Sequence, residues 1–525
     1  MSDFFGVVNF DDPPDRPFIA GDIRLDDRDA LVEKLGDDRS DADLVLLAYE
    51  RWRDACVDHL LGDFAFAIWN GDDLFCARDH FGTKPFYYAR RGDTFVFSNA
   101  IATLRKHPIV TDAIDDGAIT DFLLFGWQQD RESTSYRDIR CLPAAHTLEA
   151  RRMKMREYWT LPIEEPMRGD PVDGFREVLA RAVRDRTPEN VTVSLSGGVD
   201  SSAITALARE ITSGIDAYTI AFDSLIPDDE RPFATSVANH LDIGLHVIDG
   251  GAYRFFDPRI TKEQPRNDPL DAISFDMHTA ASRRANVMLA GQGGDAVMYA
   301  SHSYFFNLLR RGRFIRFASE IGGYVLRRRH RPPLGLRSSI RRALGMRKKM
   351  ETPPPWVKAS DVADRWERHF GDEEETHPTR PQAYNLLRGA GWQRLSEYLD
   401  PAAMGAPVEY RNPYLDVRVV RYVLRVPPMP WFAEKELLRA SMRGRLPENV
   451  RMRRKTALRV DPTHVLMTQQ ADELATIVQS CGELERFVDR TQAAAAIRNP
   501  RRTPFESYLL AFPIGLALWP ILRTR

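Results

Sequence analysis

The chain has 525 residues, 43% of them hydrophobic and 28% charged, with a formal net charge of −2 at pH 7. That length implies two or more domains, and the near-neutral balance offers no global pull toward nucleic acid. The four cysteines, Cys56, Cys76, Cys141 and Cys481, are scattered without a CxxC pair, which argues against a zinc or disulfide framework and fits a reducing cytoplasm.

The start of the chain has no basic stretch followed by a long apolar run, so no signal peptide is read. Residues 4–10 suit a first strand, and 41–53 carry helical apolar spacing. Residues 61–69 alternate as a strand, turn at 70–73 and return as 74–79; 86–89 and 94–98 form another pair. Residues 1–165 are therefore expected as a β-rich domain, with the Pro- and Gly-bearing stretch 158–171 as a linker.

Residues 166–525 are expected as a second domain of α/β type. Its strands are 191–195, 217–223, 244–248 and 287–290, alternating with helices. That alternation implies a parallel sheet with its ligand at the carboxyl ends of the strands. The first strand runs into Ser194-Leu195-Ser196-Gly197-Gly198-Val199-Asp200-Ser201-Ser202 and then a helix. A strand, a Ser/Gly turn and a helix N-terminus form an anion cradle, and Asp200 has a reason to be there if Mg²⁺ accompanies a pyrophosphate. Asp295 closes the fourth strand beside three glycines, which makes Asp200 and Asp295 the candidate metal pair. Residues 310–349 hold fourteen Lys/Arg against one acid, Glu320, and form the core of a basic helical excursion, 307–350. The tract reads as a solvated helical face or as a docking face for an acidic peptide or partner. The last third is expected to be helical. Its most apolar run, 508–522, is too short to span a membrane and reads as a buried clamp.

The string SGGxDSS resembles the pyrophosphate loop of the ATP-pyrophosphatase superfamily, whose members adenylate a carboxylate and release PPi. LxGxFAFAIW at 60–69, followed by Arg78-Asp79-His80-Phe81-Gly82, resembles the glutaminase domain of asparagine synthetases. The resemblance implies an N-terminal class II glutaminase-like αββα domain ahead of an adenylating domain with a parallel sheet flanked by helices. In that family the nucleophile is a cysteine at residue 1 after Met removal. This chain has Ser2, and 21–28 stands where the glutamine-binding segment is expected, so a retained scaffold is favoured over a glutaminase. Gly291-Gln292-Gly293-Gly294-Asp295 resembles the second adenylation motif, 409–416 the third, and Lys455 the phosphate lysine that holds the α-phosphate and then PPi. The resemblance also implies ATP and Mg²⁺, with Leu195, Ile220, Phe222, Ala290 and Gly291 around the adenine. Gln292 replaces the family's glutamate and cannot act as a base. Glu409 is left as the candidate base, against a plain ion pair with Arg411 or Arg418.

A degenerate glutaminase domain together with Gln292 is similar to two branches, β-lactam synthetases and lasso-peptide macrolactam synthetases. The 21–31 stretch, the GQGGD form and the basic tract resemble the second. That branch implies a precursor peptide as substrate, with a leader-peptide protease and a leader-binding protein as partners. It implies neither nucleic acid nor a membrane span, and a cytoplasmic setting. An asparagine synthetase-like amidotransferase using ammonia remains the alternative.

Overall fold

A computed structural model describes residues 4–227, 230–299, 304, 308–309, 312–328, 352–370, 376–454 and 460–523. Ser2, Lys455 and most of the basic tract lie outside the described residues.

The first part is built from two antiparallel sheets laid face to face. One contains β1 (Phe5–Asn9), β5 (Tyr87–Arg91), β6 (Thr94–Ser98) and β7 (Arg140–Cys141), in the order β1-β6-β5-β7. The other contains β2 (Phe18–Leu25), β3 (Gly62–Trp69), β4 (Leu74–Arg78), β8 (His146–Glu149) and β9 (Lys154–Glu157), in the order β2-β3-β4-β8-β9. Period-two alternation decides which side chains fill which layer. Ala65, Ala67 and Trp69 of β3 point between the sheets, against Phe86, Phe95 and Phe97. Phe64, Phe66 and Ile68 point outward under the helix Asp41–Trp52. That helix starts where Ser40 accepts the Asp43 N–H, an ordinary N-cap. The strand is thus apolar on both faces, because helices cover the sandwich on both sides.

The second helical layer is shared between distant parts of the chain. The helix Asp116–Phe125 packs on β5 and β6 and meets the helix Pro504–Ala517, with the Phe122 and Phe512 rings 5.7 Å apart. The apolar run near the C-terminus is therefore a buried helix clamped onto the N-terminal sandwich. Among the described residues, no helix is long and apolar enough to cross a membrane.

The second part is organised by five parallel strands: β10 (Asn190–Ser194), β11 (Gly214–Ala221), β12 (Gly244–Asp249), β13 (Val287–Leu289) and β14 (Glu409–Arg411). Their order is β12-β11-β10-β13-β14. The chain enters at β10 and winds outward through β11 and β12, then returns to the other side of β10 for β13 and β14. The winding reverses between β10 and β13, and a crevice opens at such a switch point, beyond the strand ends. β14 departs from the expectation that the last third is all helical. It has three residues, pairs with β13 through Val287 opposite Glu409, and is too short to show a period.

Candidate active site

β10 ends at Ser194, and the chain turns through Leu195, Ser196, Gly197 and Gly198 into the helix Val199–Arg209. Gly197 has φ +71°, and a Cβ there would fall 2.6 Å from the Ala234 nitrogen, so both dihedral and space require glycine. The Ser196 and Ser201 hydroxyls lie 3.1 Å apart across the turn, and Ser201 Oγ accepts the Ser196 N–H at 3.2 Å. The helix has no side-chain cap at Gly198, so its first N–H groups remain for an anion. Val199 is anchored in the core, and the buried Ser202 hydroxyl has no hydrogen-bond partner among the described residues.

The loop after β13 presses directly onto this turn. A Cβ on Gly291 would come within 2.7 Å of the Ser201 nitrogen, and one on Gly294 within 2.8 Å of the Asp200 carboxyl carbon. The glycines are thus what lets Asp200 and Asp295 share a space. Together, Ser194, Ser196, Asp200, Ser201, Ala290 and Gly291 line a cavity of about 370 Å³, along with Gln292, Gly293, Asp295, Trp392 and Leu395.

Both carboxylates converge on one ammonium. Lys435 Nζ contacts Asp200 Oδ2 and lies 2.6 Å from Asp295 Oδ1. Glu434 and Lys435 are consecutive non-glycine residues at φ +52° and +58°, a conformation that costs on the order of 1 kcal/mol per residue. Such strain persists only where surrounding structure imposes it, and here it delivers the ammonium to the carboxylates. Two carboxylates on a common cation, beside a helix N-terminus, fit the way Mg²⁺ is taken with a polyphosphate. No cluster of three His, Cys, Asp or Glu occurs among the described residues, so phosphate oxygens and water would complete its shell.

Other expected residues are placed differently. Leu195 is fully buried in the core beneath the sheet, so only its backbone can face a nucleotide. Ile220 and Phe222 follow Tyr218, which sits opposite Ser194, and lie outside the lining of the cavity. Gln292 lines the cavity, and its Oε1 is buried without a hydrogen-bond partner among the described residues. Glu409 does not fit the role of base. Its two oxygens are taken by Lys84 at 2.9 Å and by Arg411 at 2.8 Å. Burial alone would raise its carboxyl, but Lys84 and then Arg411 hold it well below the usual carboxylate range. A carboxylate so stabilised is a poor proton acceptor.

Lys455 lies outside the described residues, but the chain just before it is described. Arg453 reaches the Gly197 carbonyl at 3.4 Å and lies over the Phe233 ring, and its own carbonyl accepts from Arg439 at 2.6 Å. Sequence reasoning missed Lys435, Arg453 and the pair Trp392 and Leu395. Glu434-Lys435-Glu436 carries no motif, and its meaning lies in a backbone turn that residue types do not announce.

A family model for asparagine synthase matches residues 174–519, and one for a glutamine amidotransferase domain matches 29–159. The glutamine-hydrolysing asparagine synthetase 3 of Bacillus subtilis (strain 168) is 26% identical over 448 residues, covering 79% of this chain and 70% of its own. Asparagine synthetase 2 of the same organism is 26% identical over 456 residues, covering 78% and 57%. A putative asparagine synthetase of Methanocaldococcus jannaschii is 27% identical over 301 residues, covering 53% and 58%. The chain thus spans between 57 and 70% of the length of these relatives.

Proposed function

The chain belongs to the asparagine synthase family and is an ATP-dependent amide-forming ligase that yields AMP and PPi; we propose that it uses this chemistry to close a ribosomal peptide into a macrolactam. An Asp or Glu side-chain carboxylate of the peptide attacks the α-phosphate of ATP, and PPi leaves. The peptide's N-terminal amine then attacks the acyl-adenylate carbonyl; the amide forms, AMP leaves and one proton is lost.

The observation that carries this reading is the neutral Gln292 at the cavity wall, where the family's motif has a carboxylate, together with the commitment of Glu409 to Lys84 and Arg411. A site whose described residues offer neither Gln292 nor Glu409 as a base suits an amine that is already partly unprotonated. An α-amino group, with a pKa of about 7.7–8.0, meets that condition near neutral pH. Holding amine and acyl group in one folded peptide also supplies the proximity term, about 7–11 kcal/mol for a well-oriented pair. The chain's own residues contribute in named ways. The turn 196–202 would cradle phosphate through backbone N–H groups, Asp200 and Asp295 would hold Mg²⁺, and Lys435 and Lys455 would face the growing negative charge on PPi. Bound Mg²⁺ would neutralise phosphate charge.

The relatives' names favour a second reading, an amidotransferase acting on aspartate and ammonia, and a β-lactam-forming cyclase is a third. Purified protein with ATP, Mg²⁺ and a candidate precursor peptide should give AMP and a product lighter by one water. Asparagine formed from aspartate and ammonium, with no peptide closure, would sink the cyclase proposal.

A further inference from the structure

The cavity at the switch point is lined by mostly polar groups and by two large apolar side chains. The serine turn, the glycine loop and the carboxylate pair supply the former; Trp392 and Leu395 are the latter. They sit three residues apart on the helix Ala390–Leu399 and therefore share a face. Both are half-buried.

The other face of the same helix is fixed to the N-terminal sandwich. Gln393 is 1% exposed; its Oε1 accepts the Ala144 N–H at 3.2 Å, and its Nε2 donates to the Arg131 carbonyl at 2.8 Å. Arg394 donates to the carbonyls of Asp130 at 2.6 Å and Ser133 at 2.9 Å, and pairs with Glu397 at 2.8 Å. Glu397 in turn meets Arg78, at the end of β4, at 3.0 Å. Buried, charge-assisted contacts of this kind have one good geometry. They set the helix, and with it the indole, relative to the nucleotide loops.

We propose that Trp392 and Leu395 form the acceptor-side wall of the reaction chamber, receiving an apolar part of the amine-bearing substrate and keeping water off the acyl-adenylate. The N-terminal sandwich holds that wall in place through Gln393, Arg394 and Glu397. The inference deepens the macrolactam reading and rests on it for the identity of the amine. Two reactions compete for the acyl-adenylate. Amine attack gives amide, AMP and a proton; water attack gives the starting carboxylic acid, AMP and a proton. An apolar wall lowers the water activity where the carbonyl sits and leaves a bound amine unopposed.

The test is the number of AMP molecules released per amide bond formed, measured on the full chain with ATP, Mg²⁺ and a precursor peptide. Trp392→Ala should raise this ratio by at least about fivefold, with linear peptide returned and the KM for ATP changed by less than about twofold. Trp392→Phe should stay near wild type. Leu395→Asn, whose melting temperature serves as the check on folding, should uncouple in the same direction. A ratio unchanged in both Trp392→Ala and Leu395→Asn overturns the wall. If the wild type instead makes asparagine from aspartate and ammonium, the peptide reading fails by itself, and AMP per asparagine in the same variants tests the wall.

Discussion

The interface between the N-terminal sandwich and the parallel sheet, and the switch point some strands away, are both crowded with acids and bases, yet they are built differently. At the interface the central charges are enclosed. Arg186 meets Asp26 at 2.9 Å and Asp416 at 2.7 Å, with all three side chains no more than 3% exposed. Lys84 bridges Asp22 and Glu409, both at 2.9 Å. At the switch point Asp200 and Lys435 are partly buried, but Asp295 is 63% exposed, so one side of the pair faces solvent. Enclosed networks stabilise a geometry, because removing one member strands the others in a poor dielectric. The open pair can exchange its cation, and exchange is what a site for a metal and a polyphosphate requires.

The largest expected effect lies at the open pair. Asp200→Asn should lower substrate-dependent PPi release by about 10²–10³-fold, the range for losing one strong electrostatic contact in a transition state, with little change in melting temperature. The enclosed network should behave in the opposite way. Arg186→Met takes one guanidinium from Asp26 and Asp416, which keep Arg24 and Arg418, and should cost about 1–3 kcal/mol of stability by urea unfolding. The activity per folded molecule should be near normal. A variant at either place that shifted both readouts equally would erase the distinction.

How far this contrast was legible beforehand depends on distance along the chain. The serine turn and the glycine loop were readable because strand, turn and helix are local and each glycine answers a local need, as at Gly197. The sheet that brings Asp200 to Asp295 followed from alternating strands and helices. The direction of the Leu195 side chain was not legible, because a residue after a strand faces either the ligand or the core, and only packing decides. β14 was missed because three residues carry no period; the pair of Glu409 with Arg411 was among the expected alternatives, but Lys84 was not. Lys84 is 325 positions away from Glu409, a separation that no local pattern encodes.

Glu409 therefore gives the next test. If it belongs to the enclosed class, Glu409→Gln should lower stability at neutral pH while kcat stays within about threefold of wild type; a base would lose far more, about 10²–10⁴-fold. The pH dependence separates the two further. A carboxyl held below its unfolded value contributes stability that is fully present above the unfolded pKa, about 4.3 for Glu, and is lost as pH falls toward the folded pKa. The gap in unfolding free energy between wild type and Glu409→Gln should hold steady from pH 7 to about 5 and close below about 4.3. A gap that widened in acid would reverse the assignment.

Lys435 gives the smallest and most discriminating effect, because it tests whether the open pair really exchanges cations. In wild type an added Mg²⁺ must displace the ammonium that Asp200 and Asp295 already share. In Lys435→Met the carboxylates repel one another without a counter-ion, so the free protein should melt about one degree lower, for a loss of about 1 kcal/mol. The same variant should regain more stability than wild type on adding millimolar Mg²⁺, since binding to the folded state alone raises stability by mass action and the competitor is gone. PPi release should still be slower, because the displaced ammonium no longer meets the phosphates. Equal Mg²⁺ shifts in the two proteins would mean that the lysine and the metal never contend for one place. Lys435 would then join the enclosed charges of the interface.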